Sequence, residues 1–424
     1  MRLVCLICKQ SYPVNKIRYS CDCGGTLDVE YDFSKTPCGQ ELKNSFFKRG
    51  SQEVVHHLSG VWRYRELLPS VPDKYLISRG EGYTGLYENS RITKYTGIKN
   101  IFLKHEGENP SGSFKDRGMT VAITIGKWLG ANIFACASTG NTSASLGAYT
   151  AAAGLKGVIF IPDNKISYGK LSQALAYGVK TLQIKGDFDA AMKLVQEVTQ
   201  KRKIYLLNSL NPFRVEGQKT IILELLEQLN WKVPDWIVVP GGNLGNTAAF
   251  GKVLMEAKKL KLIDRLPRLA VIQAEGANPF YRSFKTGFKK LIPIEAHTVA
   301  TAIRIGNPVS FDRAKRSILE TDGVVESVTD QEIMEAKAVI DSSGIGCEPA
   351  SAASVAGILK LRKSGVIKAS KIVVGILTGN LLKDPDTTVK YHLKQLPGME
   401  KSKLGNQPLV IEANLKSVDQ ALKR

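Results

Sequence analysis

The sequence predicts an α/β fold, with mostly parallel twisted sheets and covering helices, preceded by a short cysteine ribbon. Two observations predict it. From about residue 100 onward, short β-branched runs alternate with longer segments whose apolar residues recur at helical spacing. Four of the seven cysteines also lie in the first 23 residues, as Cys5-x-x-Cys8 and Cys21-x-Cys23. The 424 residues suffice for two or three domains, or for one large two-lobed enzyme. Hydrophobic residues make up 43% and charged residues 23%, which excludes a largely disordered or fibrous chain.

No apolar run approaches the roughly 18–20 residues of a membrane span. The start, Met1-Arg2-Leu3-Val4-Cys5, lacks the apolar stretch of a signal peptide, so a cytoplasmic location is expected. The 59 Lys and Arg against 39 Asp and Glu give a net charge of +20, which favours anionic partners or simply a lysine-rich surface.

At the N-terminus, cysteine pairs on two turns are how a ribbon presents four thiolates to Zn2+, so Cys5, Cys8, Cys21 and Cys23 are the candidate metal ligands. The single residue between Cys21 and Cys23 departs from the usual spacer, and a metal-free ribbon or thiol redox chemistry stays open. Cys38, Cys136 and Cys347 stand alone and are expected to be small buried hydrophobes.

The predicted strands are Asn132–Ala135, Val158–Ile161, Val179–Ile184, Ile204–Leu207, Trp236–Val239, Leu269–Ile272 and Ile372–Ile376. Between them lie predicted helices Ser143–Ala153, Ala190–Lys201, Val215–Leu229, Thr247–Lys261 and Ile333–Asp341. In such sheets ligands sit beyond the carboxyl ends of strands, so the loops entering helices carry the chemistry. After about Met399 the chain reads as a polar peripheral tail.

Four loops qualify. Residues 105–118 contain Asn109-Pro110-Ser111-Gly112 and then a helical pattern that Ser113 is placed to cap. Lys115 falls in that first turn, where a helix disfavours a cation, and a neutral amine is what Schiff-base chemistry needs. A surface lysine paired with an acid is the plain alternative. Ala137-Ser138-Thr139-Gly140-Asn141-Thr142-Ser143 follows a strand and opens a helix, offering backbone N–H groups and two or three hydroxyls to an anion, whereas an ordinary helix cap would account for only one of its four hydroxyls. Pro240-Gly241-Gly242-Asn243-Leu244-Gly245-Asn246 does the same with glycines, and lacks the Gly-Lys-Ser/Thr ending of a nucleotide loop. Leu377-Thr378-Gly379-Asn380 follows the last buried strand, which leaves Thr378 either a ligand-facing hydroxyl at the strand's carboxyl end or a turn former. Gly80-Glu81-Gly82-Tyr83-Thr84-Gly85 matches a dinucleotide fingerprint, but the residues after it do not read as the required helix.

Together the loops resemble the fold-type II pyridoxal-phosphate enzymes, and most closely the threonine synthases. The resemblance runs from roughly Gly80 to Pro385. Its motifs are Pro110–Gly118, Ala137–Ala144, Asn208–Thr220, Gly241–Asn246, Ala302–Pro308, Cys347–Ala353 and Thr378–Pro385. It implies a two-lobed molecule: a ribbon over 1–35, a large cofactor domain from 36–108 and 208–424, and a small domain over 109–207. It also implies that Lys115 holds the cofactor covalently and moves protons, and that Asn141 bonds the ring oxygen. Gly241, Gly242, Asn243, Leu244, Gly245 and Asn246 would cradle the cofactor phosphate, and Thr378 would meet the pyridine nitrogen. Ser138, Thr139 and Thr142 would face the substrate, and Asn208, Ser209 and Arg214 would hold its phosphate.

The implied activity converts O-phospho-L-homoserine and water to L-threonine and phosphate, by γ-elimination and β-replacement, in a homodimer. A serine/threonine dehydratase or another phospho-amino-acid replacement enzyme is the alternative with the same cofactor. Block 208–214 favours a phosphorylated substrate. Two departures stand out: Gly85 replaces a customary proline, and Asn380-Leu381 replaces a customary His-Gly. Nucleic-acid or membrane partners are not expected, since the basic residues are dispersed apart from Arg282–Lys290.

Overall fold

The burial of the strands follows from side-chain type. The central strands lack polar–apolar alternation and are apolar on both faces, as in Trp236–Pro240, where all five residues are buried. The computed structural model describes residues 1–51, 59–162, 168–185, 197–198, 204–400, 402 and 404–423. The predicted helix Ala190–Lys201 lies almost wholly outside them.

The elements run β1 (Arg2–Cys5), β2 (Ser11–Tyr12), β3 (Leu27–Glu30), α1 (Gly39–Gly50), β4 (Leu86–Tyr87), α2 (Ser90–Thr96), β5 (Asn100–His105), α3 (Lys115–Trp128), β6 (Ile133–Ala137), α4 (Asn141–Ala152), β7 (Lys156–Pro162), α5 (Tyr168–Ala176), β8 (Lys180–Ile184) and β9 (Ile204–Leu206). They continue with α6 (Pro212–Gln218), α7 (Thr220–Gln228), β10 (Trp236–Pro240), α8 (Gly245–Lys259), β11 (Arg268–Ala274), α9 (Pro279–Lys285), α10 (Phe311–Glu320), β12 (Val324–Val328), α11 (Asp330–Ser342), α12 (Pro349–Lys363), β13 (Ile372–Leu377), α13 (Pro385–His392) and α14 (Leu415–Leu422).

Three sheets result. The ribbon is antiparallel, ordered β2-β1-β3. A larger sheet is ordered β12-β11-β10-β13-β5-β4 and is parallel except for β4. A smaller, wholly parallel sheet is ordered β8-β7-β6-β9. All seven predicted strands are present, and β4, β5 and β12 join them. No helix among the described residues is long and apolar enough to cross a membrane. Cys136 and Cys347 are buried as expected, whereas Cys38 is exposed just before α1.

Two further expectations change. The segment Val215–Leu229 is two helices meeting at Lys219 rather than one. Lys219 is fully buried there, its ammonium 2.7 Å from Glu216 and 2.8 Å from Glu256. Nor does Ser113 cap α3, which starts after Phe114 without a side-chain cap. Ser113 instead bridges to Gly379 in the backbone, and its hydroxyl is buried and unpartnered.

Helices α3 and α6 cross at van der Waals limit. A Cβ on Gly217 would lie 1.7 Å from the Arg117 carbonyl, and one on Gly118 would lie 2.8 Å from the Arg214 carbonyl. Only glycine permits this approach. It locks the helix that begins with Lys115 against the helix that carries Arg214.

Candidate active site

A cavity of about 820 Å³ opens at the carboxyl ends of β5, β6, β10 and β13, where their loops converge. Lys115, Ser138, Thr139, Asn141, Thr142, Ser209, Arg214, Gly242, Asn243, Leu244, Gly245, Asn246 and Thr378 all line it. Two predicted residues do not, Gly241 and Asn208. Gly241 lies beneath the turn, where a Cβ would strike Val271 at 2.6 Å. Asn208 accepts the Ala137 N–H at 3.0 Å and donates to the Ala137 carbonyl at 3.4 Å. It therefore holds the loop that follows β6, and its amide faces that backbone rather than the cavity.

The Lys115 loop is stitched to the end of β13. The Phe114 N–H donates to the Thr378 carbonyl at 3.0 Å, and the Asn380 N–H donates to the Gly112 carbonyl at 2.9 Å. Asp116 accepts from the Ser111 backbone at 2.6 Å and from the Ser111 and Ser145 hydroxyls at 2.5 Å each. The next residue, Arg117, is wholly buried between Glu106, at 2.7 Å, and Glu224, at 2.8 Å. Lys104 on β5 meets the same Glu224 at 2.6 Å. Breaking one partner of such a buried set leaves a bare charge, so the set fixes the start of α3 rigidly.

Lys115 keeps some accessible surface at the cavity wall but is otherwise surrounded by protein. Among the described residues no hydrogen bond or ion pair reaches its amine, which lies 3.6 Å from the centre of the Phe114 ring. Burial, and after it the Arg214 charge, pulls the amine from its ordinary 10.5 down to about 7, with Glu348 opposing. The sequence supplied the direction through the helix start; burial is the larger cause.

Arg214 is 4% exposed. One guanidinium nitrogen donates to the Leu207 carbonyl at 3.1 Å, while Nε is buried without a partner. Among the described residues no carboxylate pairs with it. Burial lowers its pKa to about 10, which still leaves it a cation at neutral pH.

The glycine turn after β10 ends in Leu244, at φ 63°, and feeds the N-terminus of α8. The Thr247 hydroxyl and the Asn246 Oδ1 there are buried and unpartnered. A half-turn of the Asn246 amide presents N–H instead. Two orphaned polar side chains beside a bare helix start are the signature of an anion seat.

Sequence reasoning missed three residues here. Glu348 lines the cavity, accepts from Asn141 Nδ2 at 3.0 Å, and has its carboxyl pushed up, chiefly by burial. Ser351 accepts the Thr378 N–H at 2.8 Å and the Gly379 N–H at 2.9 Å, so its own proton is left to turn toward the Thr378 hydroxyl 3.0 Å away. Lys383 donates to the Ser111 carbonyl at 2.8 Å and lines the rim. Glu348 precedes Pro349 at the start of α12, where an acid reads as an ordinary helix beginning. The fingerprint-like stretch at 80–85 opens no helix, and its Tyr83 and Thr84 N–H groups donate to Glu224 at 2.9 and 3.0 Å.

The family profile described as pyridoxal-phosphate dependent enzyme matches residues 77–379. The chain is 44% identical over 421 residues to a threonine synthase of Methanocaldococcus jannaschii, covering 99% of this chain and 98% of that one. It is 45% identical to the threonine synthase of Methanosarcina acetivorans, with 99% and 98% covered. Among solved structures, threonine synthase from Escherichia coli superposes with a TM-score of 0.69 at 17% identity, covering 100% of this chain and 99% of that one. Maize serine racemase gives 0.60 at 23% identity, covering 74% and 94%. These two likenesses speak for the fold.

Proposed function

The chain belongs to the pyridoxal-phosphate-dependent enzymes, with threonine synthases as its full-length relatives, and from that premise we propose that its cleft turns O-phospho-L-homoserine and water into L-threonine and phosphate. Arg214 carries the reading. A buried guanidinium with no acid beside it among the described residues is costly unless an anion arrives to pair with it. Its planar fork suits a phosphate ester, and a dehydratase acting on a free hydroxy-amino acid has no use for it.

The residues present fit the cofactor: an unpartnered amine of lowered pKa, and an anion seat at the turn 241–246 with orphaned Asn246 and Thr247. When bound, the cofactor supplies a conjugated ring that takes up the electron pair left by substrate deprotonation. The chain's own groups do the rest. Lys115 anchors the cofactor and then, once freed, accepts the α-proton and returns protons along the substrate. Gly242–Asn246 and the start of α8 hold the cofactor phosphate. Thr378, oriented by Ser351, would offer a neutral hydroxyl to the ring nitrogen. Asn141, held by Glu348, would bond the ring oxygen. Ser138, Thr139, Thr142 and the first N–H groups of α4 bind the substrate carboxylate, while Ser209 and Arg214 take its phosphate. Asn208 positions the loop after β6, which carries Ser138, Thr139 and Thr142. The ranges 36–108 with 208–424, and 109–207, serve as the two lobes between which substrate binds. The working form is a cytoplasmic homodimer.

Given O-phospho-L-homoserine, the purified protein should release phosphate and threonine in equal amounts, and L-serine or L-threonine should yield no 2-oxo acid. Formation of 2-oxo acid without phosphate release would place it among the dehydratases.

The lowered amine pKa sets a pH dependence. Only neutral Lys115 attacks an aldehyde or accepts a proton, so the rate at which cofactor-free protein takes up pyridoxal phosphate should rise with pH through about 7, not through 10.5. Arg214→Gln removes a like charge and should move that midpoint upward. Between about 7 and 10.5 the unfolded chain binds the extra proton, so Lys115 makes stability climb with pH across that window, and Lys115→Ala should flatten the climb. A stopped-flow pH series checks the first two points, and thermal melts across the same pH range check the third.

A further inference from the structure

The four N-terminal thiols lie apart from the cavity lining and take no part in the reaction above. Their Sγ atoms all fall within 4.8 Å of one another. Cys5 to Cys23 is 3.6 Å, and Cys8 lies 3.4 Å from both Cys21 and Cys23. Tetrahedral zinc at a Zn–S length of about 2.3 Å requires sulfurs about 3.8 Å apart, so the three short pairs would open slightly and the wider ones close by about an ångström or less to take the ion. The backbone is shaped for it. The Ile7 N–H points at the Cys5 sulfur at 3.4 Å, and a Cβ on Gly25 would lie 2.6 Å from that same sulfur. All four cysteines are free thiols, and Cys8 and Cys23 are exposed to incoming metal.

The ribbon is also wired to the catalytic helices. In the antiparallel pairing of β1 with β3, Cys5 faces Leu27 and its neighbour Val4 faces Asp28. Asp28 is buried and pairs with Lys252 of α8 at 3.0 Å and with Arg316 of α10 at 2.9 Å. Lys252 continues to Glu216 of α6 at 2.6 Å, and the Tyr31 hydroxyl donates to Glu216 at 2.7 Å. Arg313 donates to the Leu27 carbonyl. Tyr19 accepts the Leu206 N–H at 2.6 Å, just before Asn208 and Ser209. The small N-terminal sheet thus grips α6, which carries Arg214, and α8, whose start forms the cofactor-phosphate seat. A sheet with such short strands has little core of its own and depends on a staple.

We propose that Cys5, Cys8, Cys21 and Cys23 bind one zinc ion, and that this ion, through Asp28 and Tyr31, holds the two phosphate-binding helices in register. Each thiol gives up its proton to solvent as the ion binds, with no redox change. The metal site rests on the thiol geometry alone, whereas its effect on substrate affinity rests on the roles given to Arg214 and the turn 241–246.

The test uses the full chain with its cofactor. Elemental analysis should find about one zinc per chain in the wild type and in Cys38→Ser, and a small fraction of that in Cys8→Ser. Stripping zinc from the wild type with a chelator should speed amide exchange at least about tenfold in residues 2–30, 212–218 and 245–259, and added zinc should restore it. Asp28→Asn should keep its zinc yet loosen α8 in the same assay, which covers the case of a cysteine variant that does not fold. Wild-type protein with no more zinc than Cys8→Ser, or with disulfides in place of thiols, overturns the metal site. Unchanged exchange in α6 and α8 after zinc removal overturns the coupling. If exchange quickens while the KM for O-phospho-L-homoserine holds, the coupling stands and the phosphate roles of those helices fall.

Discussion

Lys115→Ala is expected to give a folded, colourless protein whose turnover falls by about 10⁴-fold or more, the usual contribution of a positioned proton-transfer group with loss of the covalent anchor added. The folded state should survive. Alanine is the best helix former, and it occupies the first residue of α3. The amine it removes makes no hydrogen bond or ion pair among the described residues, and the fold disfavours its charged form. The ties that hold the start of α3 belong to its neighbours, Asp116 with Ser111 and Ser145, and Arg117 with Glu106 and Glu224. A melt at unchanged or higher temperature, together with lost absorbance and lost activity, is the expected triad of results. Arg in place of Lys115 should be equally inactive, because a guanidinium does not give up its proton near neutral pH. A Lys115→Ala protein that stays yellow and turns over would remove Lys115 from both roles.

Why the sequence disclosed Lys115 but not Glu348 is a matter of what each residue type signals. Loops rich in Gly, Ser, Thr and Asn between a strand and a helix have few explanations other than a ligand, and those loops supplied more than half of the cavity lining. Glu348, Ser351 and Lys383 act through partners far away in the chain. Glu348 meets Asn141, 207 residues distant, and no local pattern encodes that meeting. The strands divide the same way. Trp236–Pro240 and Ile372–Leu377 are unbroken apolar runs and read as buried strands. β5 hid because Lys104 and His105 sit within it, and Lys104 is 0% exposed only because Glu224, Gln228 and the Thr84 carbonyl meet its ammonium. β12 hid behind Glu326 in Val324–Val328. A buried charge looks like a surface charge until its partner is known.

Gly85 shows a departure from the family pattern acquiring a local use. Its N–H, which proline would lack, donates to Glu108 at 2.5 Å, and Glu108 also accepts from the Tyr87 hydroxyl. A Cβ at position 85 would run into the Tyr87 ring at 2.4 Å. A carboxylate and a phenol therefore close this corner, at the edge of the cavity that Glu108 lines.

Arg214→Ala should cut turnover at least about 100-fold while the cofactor stays bound, since donors aimed at charge that grows in the transition state contribute several kcal/mol each. The same substitution should leave stability unchanged or raise it. In the free protein Arg214 is a buried cation whose Nε has no partner and whose pKa burial lowers to about 10, so the fold bears an uncompensated desolvation cost. Arg214 also lowers the Lys115 pKa, so its loss should shift the pH dependence of the surviving activity upward. These effects point in opposite directions, which separates a binding role from a structural one. A structural arginine would lose stability and activity together. Inorganic phosphate gives an independent reading: at about 100 times its Kd it should stabilise the wild type by about 2.7 kcal/mol, and it should do markedly less for Arg214→Ala. Arg214→Lys should recover the charge but not the paired donors, restoring part of the phosphate stabilisation and little of the rate. Near-normal turnover in Arg214→Ala, or a melt that collapses with phosphate stabilisation intact, would assign the guanidinium to the scaffold and leave the substrate phosphate to Ser209 and the start of α4.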